Sequence, residues 1–331
     1  MMSVFRDASG PSLAPGGSVL AVGAFDGLHR GHAALLACVR DRARALGLSP
    51  LVVSFEPLPR AFFAREPLPR LGSVRDKREG LREAGMERTL LLRFNAALAA
   101  MSAEDFVREV LVQRAQAREV WVGADFRFGH ARRGDVALLD RLGGKADFVT
   151  RVFDTQHDAG DRVSSSAIRA ALAAGAFSAA ARLLGRPFTI GGRVVRGEQL
   201  GRTLGYPTAN IRLGRRVSPV AGIFAVRVRG LGIQILPGGP HGLPCARNAG
   251  ASLPGVASLG LRPTVGGREP LLEAHLFDFN GDLYGRRLAV EFVAKLRDEE
   301  KFASLDALTA QMHRDAAAAR TILGVPLSVS A

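Results

Sequence analysis

Val19-Leu20-Ala21-Val22-Gly23-Ala24-Phe25-Asp26-Gly27-Leu28-His29-Arg30-Gly31-His32 is the stretch on which the fold turns. Val19 to Gly23 is a short apolar run that ends in glycine, the mark of a buried strand reaching a turn. Gly31 to Leu46 then reads as a helix, with Leu35, Leu36, Val39 and Ala43 on one side. Strand, glycine-rich turn and helix follow without a gap. Glycines let the backbone approach a ligand closely. A helix N-terminus offers free amides and the positive end of its dipole to a phosphate. His29 and His32 are three residues apart, so both imidazoles lie on one face of the helix start. There is no Lys-Ser/Thr ending, which excludes a P-loop. No third ligand at a suitable spacing accompanies the histidines, which argues against zinc. The stretch reads as a phosphate-binding turn.

Outward from it, the first half alternates strands and helices. Leu51 to Phe55, Thr89 to Leu92, Glu119 to Gly123 and Asp147 to Phe153 read as strands. Val74 to Ala84 and Ala103 to Arg114 read as helices, the latter with Ser102 as N-cap. Continuous apolar strands separated by helices predict a parallel sheet covered on both faces. In such sheets ligands bind beyond the carboxyl ends of the strands.

The second half differs. Leu272, Ala274 and Leu276 alternate with Glu273, His275 and Phe277; Leu288, Val290, Phe292 and Ala294 alternate with Ala289, Glu291, Val293 and Lys295. Period two predicts strands with one buried face. Several of them with glycine turns predict a small antiparallel barrel. Ser304 to Leu323 reads as a terminal helix with Leu305, Leu308 and Met312 on one face, and Leu231 to Gly255 as a long Gly- and Pro-rich loop. The fold class is thus an α/β Rossmann-like parallel-sheet domain followed by a β-barrel with a C-terminal helix. The boundary is expected near Leu184, giving domains at 1–184 and 185–331.

A chain of 331 residues has the length of about two domains. It is 47% hydrophobic and 23% charged, which excludes general disorder. No apolar run is long enough for a membrane span, and the first residues do not form a signal peptide. Two cysteines, Cys38 and Cys245, cannot build a disulfide framework, so a cytoplasmic location is expected. The formal net charge is +14, but only Lys77, Lys145, Lys295 and Lys301 among the 45 basic residues are lysines. The arginines are scattered and no nucleic-acid-binding module accompanies them, so no specific nucleic acid is expected as a partner.

The decapeptide Gly23 to His32 resembles the HxGH-type signature of nucleotidyltransferases. With Phe25-Asp26-Gly27 before the first histidine it is similar to the bacterial bifunctional riboflavin kinase/FMN adenylyltransferases, the FAD synthetases. Ser54-Phe55-Glu56-Pro57, Val122 to Gly129 and Val163-Ser164-Ser165-Ser166-Ala167-Ile168-Arg169 continue the resemblance in order. It implies that His29 and His32 are catalytic in adenylyl transfer, steadying the triphosphate and the crowded phosphorus. It also implies that Gly23, Phe25, Asp26, Gly27, Gly31, Asp125, Arg162, Ser164, Ser165, Ser166 and Arg169 contact ATP or FMN. Leu58 departs from the usual family pattern, Glu-Pro-His-Pro, in which histidine stands there.

Gly201-Arg202-Thr203-Leu204-Gly205-Tyr206-Pro207-Thr208-Ala209-Asn210 resembles the riboflavin kinase signature. Gly201, Arg202, Gly205, Tyr206, Pro207, Thr208, Asn210 and Arg297 are the implied ATP and flavin contacts. Thr208 and Asn210 carry neutral oxygens, suited to Mg²⁺ when nucleotide phosphates bring the negative charge. Leu272-Glu273-Ala274-His275-Leu276 is similar to the strand that holds the family's catalytic glutamate, which makes Glu273 the expected general base. Glu273 is out of phase with Leu272 and Leu276, so burial of the leucines turns it to the opposite face. A further departure is Ser258, where the family often has Asn.

The resemblance implies FAD biosynthesis. Riboflavin is phosphorylated to FMN with ATP and Mg²⁺, and AMP is then transferred from ATP to FMN, giving FAD and pyrophosphate. The alternative is a riboflavin kinase with a weak or regulatory first domain. The expected partners are small-molecule substrates, with no membrane, and the chain is expected as a monomer or weak homo-oligomer.

Overall fold

In the computed structural model the described residues are 2–197, 201, 204–214, 217–230, 252–264 and 267–326. The chain divides into two compact units, Met1–Ala167 and Ile168–Ala331.

In the first unit, β1 (Ser3–Phe5), β2 (Ser18–Val22), β3 (Ser49–Glu56), β4 (Arg88–Arg93), β5 (Ala117–Gly123) and β6 (Val149–Phe153) form one six-stranded sheet. Their spatial order is β1-β4-β3-β2-β5-β6, and every pairing is parallel. All five residues of β2 are buried, as a central strand requires. β3 leaves β2 on one side and β5 adjoins it on the other, so the strand order reverses beside β2. That is where an open parallel sheet forms its ligand crevice.

Helix α1 (Arg30–Leu46) buries Leu35, Leu36, Val39 and Ala43, the stripe expected from its periodicity. Complete burial of a Leu or Val contributes about 1.5–3 kcal/mol, enough to hold the helix on the sheet. Gly47 stops it in a left-handed conformation, φ 65°. Helices α2 (Pro59–Phe63), α3 (Val74–Glu83) and α4 (Ala96–Ala100) follow. Helix α5 (Ala103–Asp105) is capped by Ser102, whose Oγ accepts from the Asp105 amide, and it continues as a π-helix over Phe106–Arg114. Helix α6 (Val136–Ala146) precedes β6. A short hairpin, β7 (His157–Asp158) and β8 (Asp161–Arg162), leads into α7 (Ser165–Ala173).

In the second unit, α8 (Phe177–Leu184) precedes the barrel strands. These are β9 (Thr189–Val195), β10 (Thr208–Arg212), β11 (Gly222–Gly230), β12 (Ser252–Thr264), β13 (Gly267–Leu276) and β14 (Arg287–Arg297). They close in the order β10-β13-β12-β11-β14-β9, antiparallel throughout. Leu272, Ala274, Leu276, Leu288, Val290 and Phe292 are buried, as the alternation predicts. Helix α9 (Leu305–Leu323) ends the described chain, with Ser304 as its N-cap.

Three local expectations change. Ser252 to Gly255 were read as the end of a loop but pair with β11 as the start of β12; residues 231–251 lie outside the described residues. Phe277 follows β13 and is 4% exposed, packed with Ala316, Ala319 and Leu323 of α9 and covered by the Arg320 guanidinium. Its alternation stops where the strand does. Leu305 is 58% exposed, and the buried residues of α9 are Asp315, Ala316, Ala319, Arg320 and Leu323.

Candidate functional site

The turn after β2 is shaped by three left-handed residues in sequence order, Phe25 (φ 48°), Gly27 (φ 81°) and Leu28 (φ 44°). A side chain at position 27 would meet Leu71 at 2.9 Å, so glycine is required by both φ and space. Phe25 and Leu28 carry the strain of positive φ without being glycine. Burial of Phe25, 1% exposed, offsets it. Asp26 is also buried, accepts from the Leu71 amide and lies 3.7 Å from Arg70. This carboxylate anchors the turn.

His29 is the N-cap of α1; its Nδ1 accepts from the His32 amide at 3.3 Å. The two imidazoles stack with centroids 3.6 Å apart. Phe25 packs on the His32 ring at 5.0 Å. Burial pushes the His32 pKa well below its ordinary value, and the neighbouring His29 and Lys77 charges push it the same way. A neutral imidazole can accept or donate a hydrogen bond at the mouth of a helix. The buried His32 Nδ1 has no hydrogen-bond partner among the described residues.

The serine run reaches this turn. Ser165 Oγ donates to the Asp26 carbonyl at 2.9 Å, Ser164 Oγ accepts from the Ala167 amide as a helix cap, and Arg60 donates to Ser166 Oγ at 3.2 Å. Asp125, beyond β5, pairs with Arg162 of the hairpin at 2.6 Å, both exposed. Gly23 ends the strand and donates to Val53 O, and Gly31 lies in the first turn of α1. Arg169 lies on α7 in the second unit.

Two features of the first unit were not foreseen. One is a cavity of about 800 Å³ whose apolar walls include Phe55, Phe63, Phe94, Phe106, Phe126 and Phe128. These rings come from five separate segments of the chain, Phe126 and Phe128 sharing the loop after β5, so no local pattern announces the cavity. The other is a buried polar cluster. Arg70 holds Glu56 through two bonds, 2.8 and 3.0 Å, and Lys77 lies 4.0 Å from Glu56. Leu58 is 2% exposed, is the N-cap residue of α2, and is not among the residues lining the aromatic cavity.

On the barrel, the interior takes Leu272, Ala274 and Ile211, so Thr208, Asn210, Glu273 and His275 share the outer face. Thr208 stands opposite His275, Asn210 opposite Glu273, and Glu273 opposite Ser258 on its other side. A cavity of about 690 Å³ is lined by Gly201, Tyr206, Thr208, Glu273, His275 and Arg297, among others. A second, of about 500 Å³, includes Arg196, Pro207, Thr208 and Tyr284. Thr208 borders both.

His275 Nδ1 is 2.9 Å from the Pro207 carbonyl, so this nitrogen carries the proton. Burial lowers the His275 pKa. Tyr206 OH meets His313 Nδ1 of α9 at 2.6 Å. Gly205 is left-handed, φ 81°, in the turn before them. Gly197 approaches the Asn210 side chain so closely that a Cβ would sit 2.5 Å from it. Asn210 is 4% exposed, and its Oδ1 is buried without a partner among the described residues. Arg297 is held by Asp315 through Nε and Nη2, at 3.0 and 2.8 Å. Arg202 lies outside the described residues.

No group of three or more His, Cys, Asp or Glu able to hold a metal occurs among the described residues. No helix among them is long and apolar enough to cross a membrane.

A six-stranded parallel sheet and a closed six-stranded antiparallel barrel thus share one polypeptide. The family model for FAD synthetase matches residues 12–167 and that for riboflavin kinase matches residues 184–323. The bifunctional riboflavin kinase/FMN adenylyltransferase of Escherichia coli K12 is 43% identical over 98% of this chain and 99% of its own. That of Pseudomonas fluorescens is 46% identical over 92% of this chain and 93% of its own. A solved structure described as a macrolide-efflux protein from Streptococcus pneumoniae has a TM-score of 0.73 at 29% identity, covering 95% of this chain and 97% of its own. The chain belongs to the bifunctional riboflavin kinase/FMN adenylyltransferase family.

Proposed function

We propose that this chain makes FAD from riboflavin in two steps, one on each domain. The observation that carries the reading is the full-length match. Relatives named for both activities align with 98% of the chain, and each domain has its own family model.

On the barrel, Glu273 takes the proton of the riboflavin 5′-hydroxyl as that oxygen attacks the γ-phosphorus of ATP. ADP leaves and FMN is formed. The larger cavity, which contains Glu273, takes the flavin. The cavity with Arg196 and Tyr284 takes the nucleotide, and Thr208, which borders both, marks where the phosphates meet. The buried Asn210 Oδ1, without a partner among the described residues, fits a cation ligand, so Thr208 and Asn210 are the residues that would hold Mg²⁺ with the phosphates. Bound there, Mg²⁺ supplies charge neutralisation to the phosphates.

On the parallel sheet, an oxygen of the FMN phosphate attacks the α-phosphorus of a second ATP, and pyrophosphate leaves. No protein nucleophile is needed; positioning and charge stabilisation suffice. His29 and His32 steady the reacting phosphates at the start of α1. Asp125, Arg162 and the serines Ser164 to Ser166 line the approach, with Arg169 further along α7. The aromatic cavity suits the flavin ring, because its walls are flat, apolar and of the right scale. On this reading the first domain runs to about Leu184 and the second follows it, and the chain acts in the cytoplasm.

The test is one time course with riboflavin, excess ATP and Mg²⁺, resolved by chromatography. FMN appears first and FAD with pyrophosphate follows. FMN accumulating without FAD, even from added FMN, would contradict the second step.

A further inference from the structure

Lys77 lies on α3, a helix whose mean composition is strongly polar, yet it is 4% exposed. Its Nζ donates to the Ala24 carbonyl at 2.8 Å, to Ser54 Oγ at 3.2 Å and to the Phe55 carbonyl at 3.2 Å. An ammonium has three donors, and all three are used. Ser54 Oγ in turn approaches Ala24 O at 3.3 Å. Ala24 belongs to the turn after β2, and Ser54 and Phe55 to the end of β3. One buried cation thus joins the two strand ends beside the sheet's ligand crevice. Its ion-pair distance to Glu56 is longer, at 4.0 Å.

We propose that Lys77 is a positioning residue for adenylyl transfer: it ties the His29–His32 turn to the end of β3 and keeps a fixed positive charge behind that turn. The proposal rests on the adenylyltransferase reading of the first domain. Its logic is that in-line transfer tolerates little displacement of the groups around phosphorus. The Gly23–Asp26 backbone has no regular secondary structure; Val53 holds Gly23, Leu71 and Ser165 hold Asp26, and Lys77 with Ser54 holds Ala24 between them.

The charged and titratable groups facing Lys77 are Glu56 at the end of β3, Asp26 in the turn, Arg70 before α3, and His32 at the start of α1. Burial dominates and pushes Lys77 down to about 8, with Arg70 acting the same way and Glu56 and Asp26 opposing. Above that pH the amine keeps two protons for three acceptors, and the charge is gone. A link between β2 and β3 is then lost.

The experiment follows conversion of added FMN to FAD in the full-length protein, with FMN formation from riboflavin measured in the same preparations. Lys77→Met is expected to lower kcat for FAD formation about 100-fold, the scale of a small misplacement, while FMN formation is unchanged. Wild-type FAD formation is expected to decline on an alkaline limb near pH 8, and Lys77→Arg, charged at all these pH values, is expected to lack that limb. If Lys77→Met does not fold, the wild-type pH profile decides. A wild-type profile flat from about pH 7 to about pH 9.5 would overturn the proposal, as would adenylylation by folded Lys77→Met within about twofold of wild type. Absence of FAD formation by the wild type would instead overturn the adenylyltransferase reading itself.

Discussion

Asn210 and Glu273 stand directly opposite one another across the antiparallel pair β10–β13, on the outer face of the barrel. Opposed residues in such a pair have Cβ atoms about 4.5–5.5 Å apart. A carboxylate and a buried amide oxygen without a partner among the described residues are therefore fixed as neighbours by backbone register alone. The two are expected to fail differently. Glu273→Gln should lower kcat of FMN formation by about 10²–10⁴-fold, the range for loss of a general base. Asn210→Ala should chiefly raise KM for ATP–Mg²⁺, by about tenfold, which corresponds to about 1.4 kcal/mol. Steady-state kinetics at varied ATP separate the two. An unchanged KM in Asn210→Ala would argue against its place beside the phosphates.

Leu58 is buried at 2% exposure and is the N-cap residue of α2, so its departure from the usual family pattern has a structural consequence. Leu58→His should not raise FAD formation. It should lower stability by about 1–3 kcal/mol, the cost of a buried polar group without partners. Thermal melts and FMN-to-FAD rates measured side by side check both halves. A faster variant would favour a direct role for an imidazole at this position.

The partly buried ion pair between Arg297 and Asp315 ties the end of β14 to α9, with Gln311 also donating to Asp315. Asp315→Ala leaves the partly buried guanidinium with Glu300, at 3.3 Å, and the Asp298 carbonyl as its remaining partners, and should cost about 1–2 kcal/mol in unfolding free energy. Denaturant titration reads this. A loss below about 0.5 kcal/mol would mean that water replaces the carboxylate easily.

His32 and His275 both have lowered pKa values, chiefly from burial. The folded state thus resists protonation that the unfolded state accepts below its ordinary value of about 6.5. Stability from these groups is full above that pH and is lost as pH falls toward their folded values. Melting temperature should therefore drop on acidification from pH 7, and His32→Asn should flatten the drop. Scanning calorimetry across this interval is the check; a wild-type melting temperature that rises on acidification would contradict the sign.

Much of this was legible in the sequence because local patterns carried it. Strand, glycine turn and helix at Gly23–His32 need only neighbouring residues, and period two around Glu273 sets its face whatever the barrel's closure. What stayed hidden was assembled at long range. A lysine in a polar helix reads as a solvated side chain, and only the fold shows that Lys77 is buried against the ends of β2 and β3. Phe55, Phe94 and Phe128 become one wall only when their elements meet. Asp315 and Arg320 sit on the buried face of α9 because each has a partner, Arg297 and Asp278 respectively, which helical periodicity cannot show. The edge strand β1 has only three residues, too few for periodicity to mark it.

On the proposed function the two chemistries occupy separate sites on separate domains. The most direct measurement is the product profile of two variants given riboflavin or FMN with ATP and Mg²⁺. Glu273→Ala should form no FMN from riboflavin yet convert added FMN to FAD. The double variant His29→Ala, His32→Ala should make FMN from riboflavin and stop there. Loss of both activities in each folded variant would contradict the division of labour.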